Sequence, residues 1–168
     1  PPEGTGYYCI LGLDLGEDRV PPIQTFHKTL DEVSDQVQLL LTKKLNVYFA
    51  CAKYNDSDVG RTQKNSAYFK SFWVDIDCAP TKTYTTQVEG LEALAEFCLK
   101  IKMPLPTIVN SGRGIHAYWE LDEVISREQW LPVAKRIKYL CSEHSFDADP
   151  SRTAESASVL RVPETLNF

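Results

Sequence analysis

The sequence predicts a mixed α and β fold, an α/β sandwich of the α+β kind with a mixed β-sheet and flanking helices. Three observations lead there. Stretches of β-branched and aromatic residues alternate along the chain with stretches of helical periodicity. Two strand-like stretches, 107–110 and 115–121, are joined only by Ser-Gly-Arg-Gly, short enough for a hairpin, so the sheet is not purely parallel. Finally, 168 residues with 43% hydrophobic and 24% charged side chains suit one globular domain with its own core, not a disordered or fibrous chain.

Taken in order, residues 7–13 (YYCILGL) are apolar and β-prone. Thr29 and Glu32 have capping-box spacing ahead of Val33, Val37, Leu40 and Leu41, which predicts a helix to about Lys44. Residues 46–52 (NVYFACA) predict a strand, and 53–66, where Asn, Asp, Ser and Gly cluster, a loop. The strongest strand signal is 69–77 (FKSFWVDID). Thr86 and Glu89 open a second helix through Leu91, Leu94, Cys98 and Leu99 to about Lys102, which Pro104 and Pro106 bring to an end. After the hairpin, Ser126 and Gln129 open a third helix to about His144. Residues 147–155 read as a polar connection and 159–162 as a last short strand.

The formal net charge of -5 argues against a general affinity for nucleic acid or anionic membrane. It leaves room for an enzyme that grips nucleic acid locally through metal ions and a few basic residues. No apolar run approaches the ~18–20 residues that span a bilayer. The five cysteines are odd in number and scattered, several in apolar runs, which predicts no disulfide framework and a reducing, cytoplasmic setting. A start at Pro-Pro-Glu without Met, and an end at Phe168 just after a polar motif, predict a domain excised from a longer protein.

Three stretches carry chemistry. Asp75 and Asp77 stand at i and i+2 at the end of a strand, so their carboxylates share one face. Such a pair needs a proton or a cation, and hard oxygen ligands suit Mg²⁺ or Mn²⁺. A strand end emerging into water is the simpler alternative. In the second stretch (NSGRGIHAYW), Gly112 and Gly114 permit close backbone approach, and Ser111, Arg113 and free amides suit phosphate oxygens. His116, sharing a face with Tyr118, adds a further donor, although an ordinary Gly-rich turn would look similar. The third stretch holds Asp147, Asp149 and Glu155, followed by Arg161 on a β-prone segment, with Thr165 and Asn167 beyond.

In this order the three stretches resemble the motifs of the archaeo-eukaryotic primase superfamily. Its apolar Asp-x-Asp strand is matched by residues 72–77, its Ser-x-His type hairpin by 111–116, and its acidic residue about a dozen positions before a basic strand by Asp149 and Arg161. The ending LRVPETLN is similar to the Leu-Arg-x-Pro-Gly-Thr-x-Asn stretch of phage, plasmid and mobile-element members, with Glu164 where glycine is usual. The likeness covers 46–168; residues 1–45 match in general pattern only.

The resemblance implies an RRM-like catalytic core (46–168) with an N-terminal α/β module (1–45). It implies a template-dependent DNA primase-polymerase, a nucleotidyltransferase that joins NTPs or dNTPs on a single-stranded DNA template and primer and starts chains de novo. Two Mg²⁺ or Mn²⁺ ions would be held by Asp75, Asp77 and Asp149, with Asp147 or Glu155 as the other choices for the third ligand. Ser111, Gly112, Arg113, Gly114, His116 and Arg161 would bind the nucleotide. A helicase or accessory domain elsewhere in the full-length protein, and a mobile-element setting, are further implications.

Two other readings stand beside it: a replication-initiator domain of the same fold with a decayed active site, and a haloacid-dehalogenase-type phosphatase suggested by Asp-Ile-Asp-Cys-Ala-Pro-Thr. The Cys-x-x-His spacing of Cys141 and His144 lacks a second pair nearby and is better read as a helix face than as a zinc site. Lys135, Arg136 and Lys138 are read as a solvated helix face, and Trp73 and Trp119 as core.

Overall fold

The computed structural model describes residues 5–16, 20–166 and 168. Along them run β1 (Tyr8–Leu13), β2 (Ile23–His27), α1 (Leu30–Thr42), β3 (Asn46–Ala50), β4 (Lys53–Tyr54), β5 (Ser66–Asp77), α2 (Gln87–Ile101), β6 (Thr107–Asn110), β7 (Gly114–Ser126), α3 (Arg127–Glu143), α4 (Pro150–Thr153) and β8 (Val159–Arg161). The chain divides into two compact units. One comprises the residues up to Phe69 together with Ser156–Phe168; the other is Lys70–Glu155.

In the first unit the strand order is β2-β1-β3-β8, and each neighbour pair is antiparallel. Strand alternation sends Ile10 and Val47 to one face, where they pack with Val37, Leu40 and Leu45 of α1 and the turn after it. Cys9, Leu11, Ala50 and Val159 cluster with the fully buried Tyr54. Helix α1 lies so close to β1 that a side chain at Gly12 would meet Leu40 Cδ2 at 2.8 Å. The capping box is formed: Thr29 Oγ1 accepts from the Glu32 amide and the Glu32 carboxylate accepts from the Thr29 amide.

Two sequence expectations change here. Strand β2 falls in a stretch with no expected element, and β4 falls inside the expected loop. β3 pairs with both β1 and β8.

In the second unit the strand order is β5-β7-β6. The expected hairpin is present, with Thr107 opposite Tyr118 and Asn110 opposite Ile115. Helices α2 and α3 pack on β7. Thr86 caps α2, which buries Leu94, Phe97 and Cys98; Ser126 and Gln129 form a capping box for α3, which buries Trp130, Ala134, Ile137 and Cys141. Trp130 stacks on Trp73 at 4.8 Å between ring centroids, and its indole N–H donates to the Ser71 carbonyl at 3.0 Å. The expected polar connection contains α4, started by Asp149 as N-cap with Pro150 directly after it. Among the described residues no helix is long and apolar enough to cross a membrane.

Candidate active site

Asp75 and Asp77 stand at the end of β5, with buried Val74 and Ile76 interleaved, so the alternation puts both carboxylates on one face. They differ in exposure: the Asp75 side chain is 20% exposed and that of Asp77 56%. The β6–β7 turn is pressed against the same strand end. The Cys78 amide donates to the Arg113 carbonyl at 2.9 Å, and a Cβ on Gly114 would lie 2.2 Å from the Ile76 carbonyl oxygen. Only glycine permits this approach. Gly112 takes φ +93° in the turn.

Two of this turn's backbone amides are engaged inside it. Ser111 N–H donates to the Gly114 carbonyl at 3.1 Å and Gly112 N–H to Asn110 Oδ1 at 2.8 Å. The expected cradle of free amides is therefore not supplied by these two, which leaves the Ser111 hydroxyl and the exposed Arg113 side chain as the turn's outward groups. Gln87 of α2 steadies the hairpin by exchanging hydrogen bonds with the Asn110 amide group.

His116 is buried, and its Nε2 lies 3.7 Å from Asp75 Oδ1. Its ring meets that of Tyr118 edge-on, as expected of i and i+2 on one strand face. The segment before α4 closes in on the same strand: the Asp149 amide donates to the Asp75 carbonyl at 2.7 Å. The Asp149 carboxylate accepts from the Ser151 amide and pairs with Arg152 Nε at 3.6 Å. Asp147 is tied to the turn after β5. Its carboxylate accepts from the Thr83 hydroxyl and its amide donates to Tyr84 Oη.

Burial, reinforced by the charges of Asp77 and Asp149, pushes the Asp75 carboxyl up to about 6; Arg152 and Lys82 act in the opposite sense. Among the described residues no three His, Cys, Asp or Glu side chains converge as a ready-made metal cage. The donor set nonetheless suits Mg²⁺ or Mn²⁺. Mg²⁺ commonly takes one or two carboxylates and completes its shell with water and substrate phosphates, so a preformed cage is not required.

Arg161 belongs to the first unit, where its guanidinium donates to Asn46 Oδ1 and Tyr48 Oη, both at 3.0 Å, and lies over the Tyr48 ring. Glu164 takes φ +60°, the left-handed conformation that explains the usual glycine. Asn167 lies outside the described residues. Cys141 is buried in α3, and burial pushes its thiol up to about 12, as expected of a core cysteine. Trp73 and Trp119 are buried as expected.

Sequence reasoning missed Lys82 and Arg152. Lys82 Nζ lies 2.8 Å from Asp77 Oδ2. Its only local signal is a lysine in the Ala-Pro-Thr-Lys turn just after the Asp pair.

The antiparallel two-sheet α+β architecture is similar to that of archaeo-eukaryotic primase-polymerase domains. Two solved structures share it. One is the archaeo-eukaryotic primase (AEP) domain of the cyanophage S-2L primase-polymerase, with a TM-score of 0.65 and 18% identity over 94% of this chain and 72% of that one. The other is the polymerase domain of Mycobacterium tuberculosis ligase D in complex with DNA, with a TM-score of 0.55 and 12% identity over 98% of this chain and 70% of that one. No family model and no curated protein sequence matches the chain.

Proposed function

We propose that this chain is the catalytic domain of a DNA primase-polymerase. It would extend a primer on a single-stranded DNA template from NTPs or dNTPs and start chains de novo. The observation that carries the reading is the convergence on one strand end of Asp75, Asp77, the Asp149 backbone, His116 and the 111–114 turn. The shared fold of two DNA-polymerising domains supports it.

In this reading a primer 3′-hydroxyl attacks the α-phosphate of the incoming nucleotide and pyrophosphate leaves. Asp75, Asp77 and Asp149 would hold the divalent ions, which when bound would activate the attacking oxygen and neutralise charge at the leaving group. The chain's own residues do the positioning. His116 backs Asp75 and steadies its carboxylate, while Ser111 and Arg113 at the turn hold phosphate oxygens. A cytoplasmic mobile-element replication system, with a helicase or accessory domain, fits the motif pattern.

The test is extension of a labelled primer, and unprimed synthesis, on single-stranded DNA with Mg²⁺ or Mn²⁺. Product from the wild type that is lost in Asp75→Asn and Asp77→Asn supports the proposal. DNA binding with no synthesis under either metal overturns it in favour of a decayed initiator domain. Release of phosphate from small phosphoesters without polymer would indicate a phosphatase instead.

A further inference from the structure

The turn between β5 and α2 delivers a cation to the acidic strand end. It is closed by its own backbone: the Ala79 amide donates to the Tyr84 carbonyl at 3.0 Å, the Lys82 amide to the Ala79 carbonyl at 2.9 Å, and Cys78 and Tyr84 form a bridge. It is also clasped from the side, since Thr83 donates to the Asp147 carboxylate and Tyr84 Oη accepts the Asp147 amide. The backbone that carries Lys82 is thus held by hydrogen bonds that do not involve its charge. Its partner, Asp77, is held weakly in comparison. Both side chains are about half exposed, and exposed ion pairs contribute little to stability.

A divalent cation on the Asp77 carboxylate would repel the ammonium, and the turn would keep that ammonium at the rim of the site. The anion that a substrate brings to a metal in such a site is phosphate. We infer that Lys82 exchanges its Asp77 partner for an oxygen of the nucleotide's polyphosphate tail, and so both guards the empty carboxylate and binds the loaded substrate. This rests on the nucleotidyltransferase reading above.

The experiment compares wild type, Lys82→Ala and Lys82→Arg, with thermal melting to confirm that the exposed substitutions leave the fold intact. Mn²⁺ binding to nucleotide-free protein is measured by electron paramagnetic resonance, and binding of inorganic tripolyphosphate in saturating Mn²⁺ by calorimetry. Removing the competing ammonium should tighten Mn²⁺ binding about threefold in Lys82→Ala, because the pair it breaks is an exposed one. Losing a charge-assisted hydrogen bond should weaken tripolyphosphate binding about tenfold or more. Lys82→Arg should stay near wild type in both. Tripolyphosphate affinity within twofold of wild type in Lys82→Ala would overturn the inference, whatever Mn²⁺ does. If the wild type makes no polymer, yet Lys82→Ala loses tripolyphosphate affinity, the polymerase reading fails and the role of Lys82 stands.

Discussion

Asp75 carries the clearest electrostatic consequence of any single residue. Its carboxyl titrates near 6 in the fold against an ordinary value of 3.8, so between these pH values the native state holds a proton that the unfolded chain releases. Native stability without metal therefore falls as pH rises through this window, by roughly 3 kcal/mol once Asp75 is fully ionised. Asp75→Asn should raise the melting temperature of metal-free protein at pH 7.5 and leave it nearly unchanged at pH 4. Millimolar Mn²⁺ should stabilise the wild type at pH 7.5 but not the variant. An equal shift at both pH values would refute this account. Gly114 and Glu164 make a second pair of tests. Gly114→Ala drives a methyl into the Ile76 carbonyl and should cost about 3 kcal/mol, with loss of the hairpin's seat on β5. Glu164→Gly relieves a left-handed glutamate and should stabilise by about 0.5–1 kcal/mol in urea unfolding.

Elements in this protein start where their caps are. Thr29, Thr86 and Ser126 each accept from the amide three residues on, and α1, α2 and α3 begin directly after them. Ser126→Ala should cost about 1 kcal/mol, read from the urea midpoint. The inner face of α3 matters more than its cap. Trp130 is fully buried against Trp73 and Phe72, so Trp130→Ala should cost about 3–5 kcal/mol. A loss below 1 kcal/mol would show that the ring is not part of the core. The elements that sequence left unassigned are those with weak local signals. β2 follows two prolines, β4 spans two residues, and α4 is a single turn started by an aspartate that also reads as a polar loop residue. Each is defined by hydrogen bonds to partners distant in sequence or by one cap, and periodicity over a few residues cannot register either.

At the scale of the whole molecule, a net charge of -5 means that, in the proposed reading, phosphate contacts would be few and local. Binding of a fluorescent single-stranded oligonucleotide should then be weak, strengthened by divalent cations, and reduced by added salt. Salt-insensitive binding would contradict that picture. Lys135 and Lys138 of α3 are exposed and line a cavity of about 550 Å³ with Tyr139, Cys141, Phe146 and Asp147.

By itself the sequence determined the α+β class, the three capped helices, the hairpin and the shared face of Asp75 and Asp77, because each is written in short-range periodicity, cap chemistry or strand alternation. Tertiary structure alone decided which of the candidate groups meet. It brought the Asp149 backbone and His116 to Asp75, closed the turn amides of Ser111 and Gly112 on their own neighbours, and set Lys82 on Asp77. It also assigned β3 and β8 to the N-terminal sheet, so that the compact units divide at Phe69 and Ser156. The reason is physical. Spacing along a chain specifies the direction of a side chain within its own element, whereas burial, charge and hydrogen bonding between elements depend on long-range packing that no single segment contains.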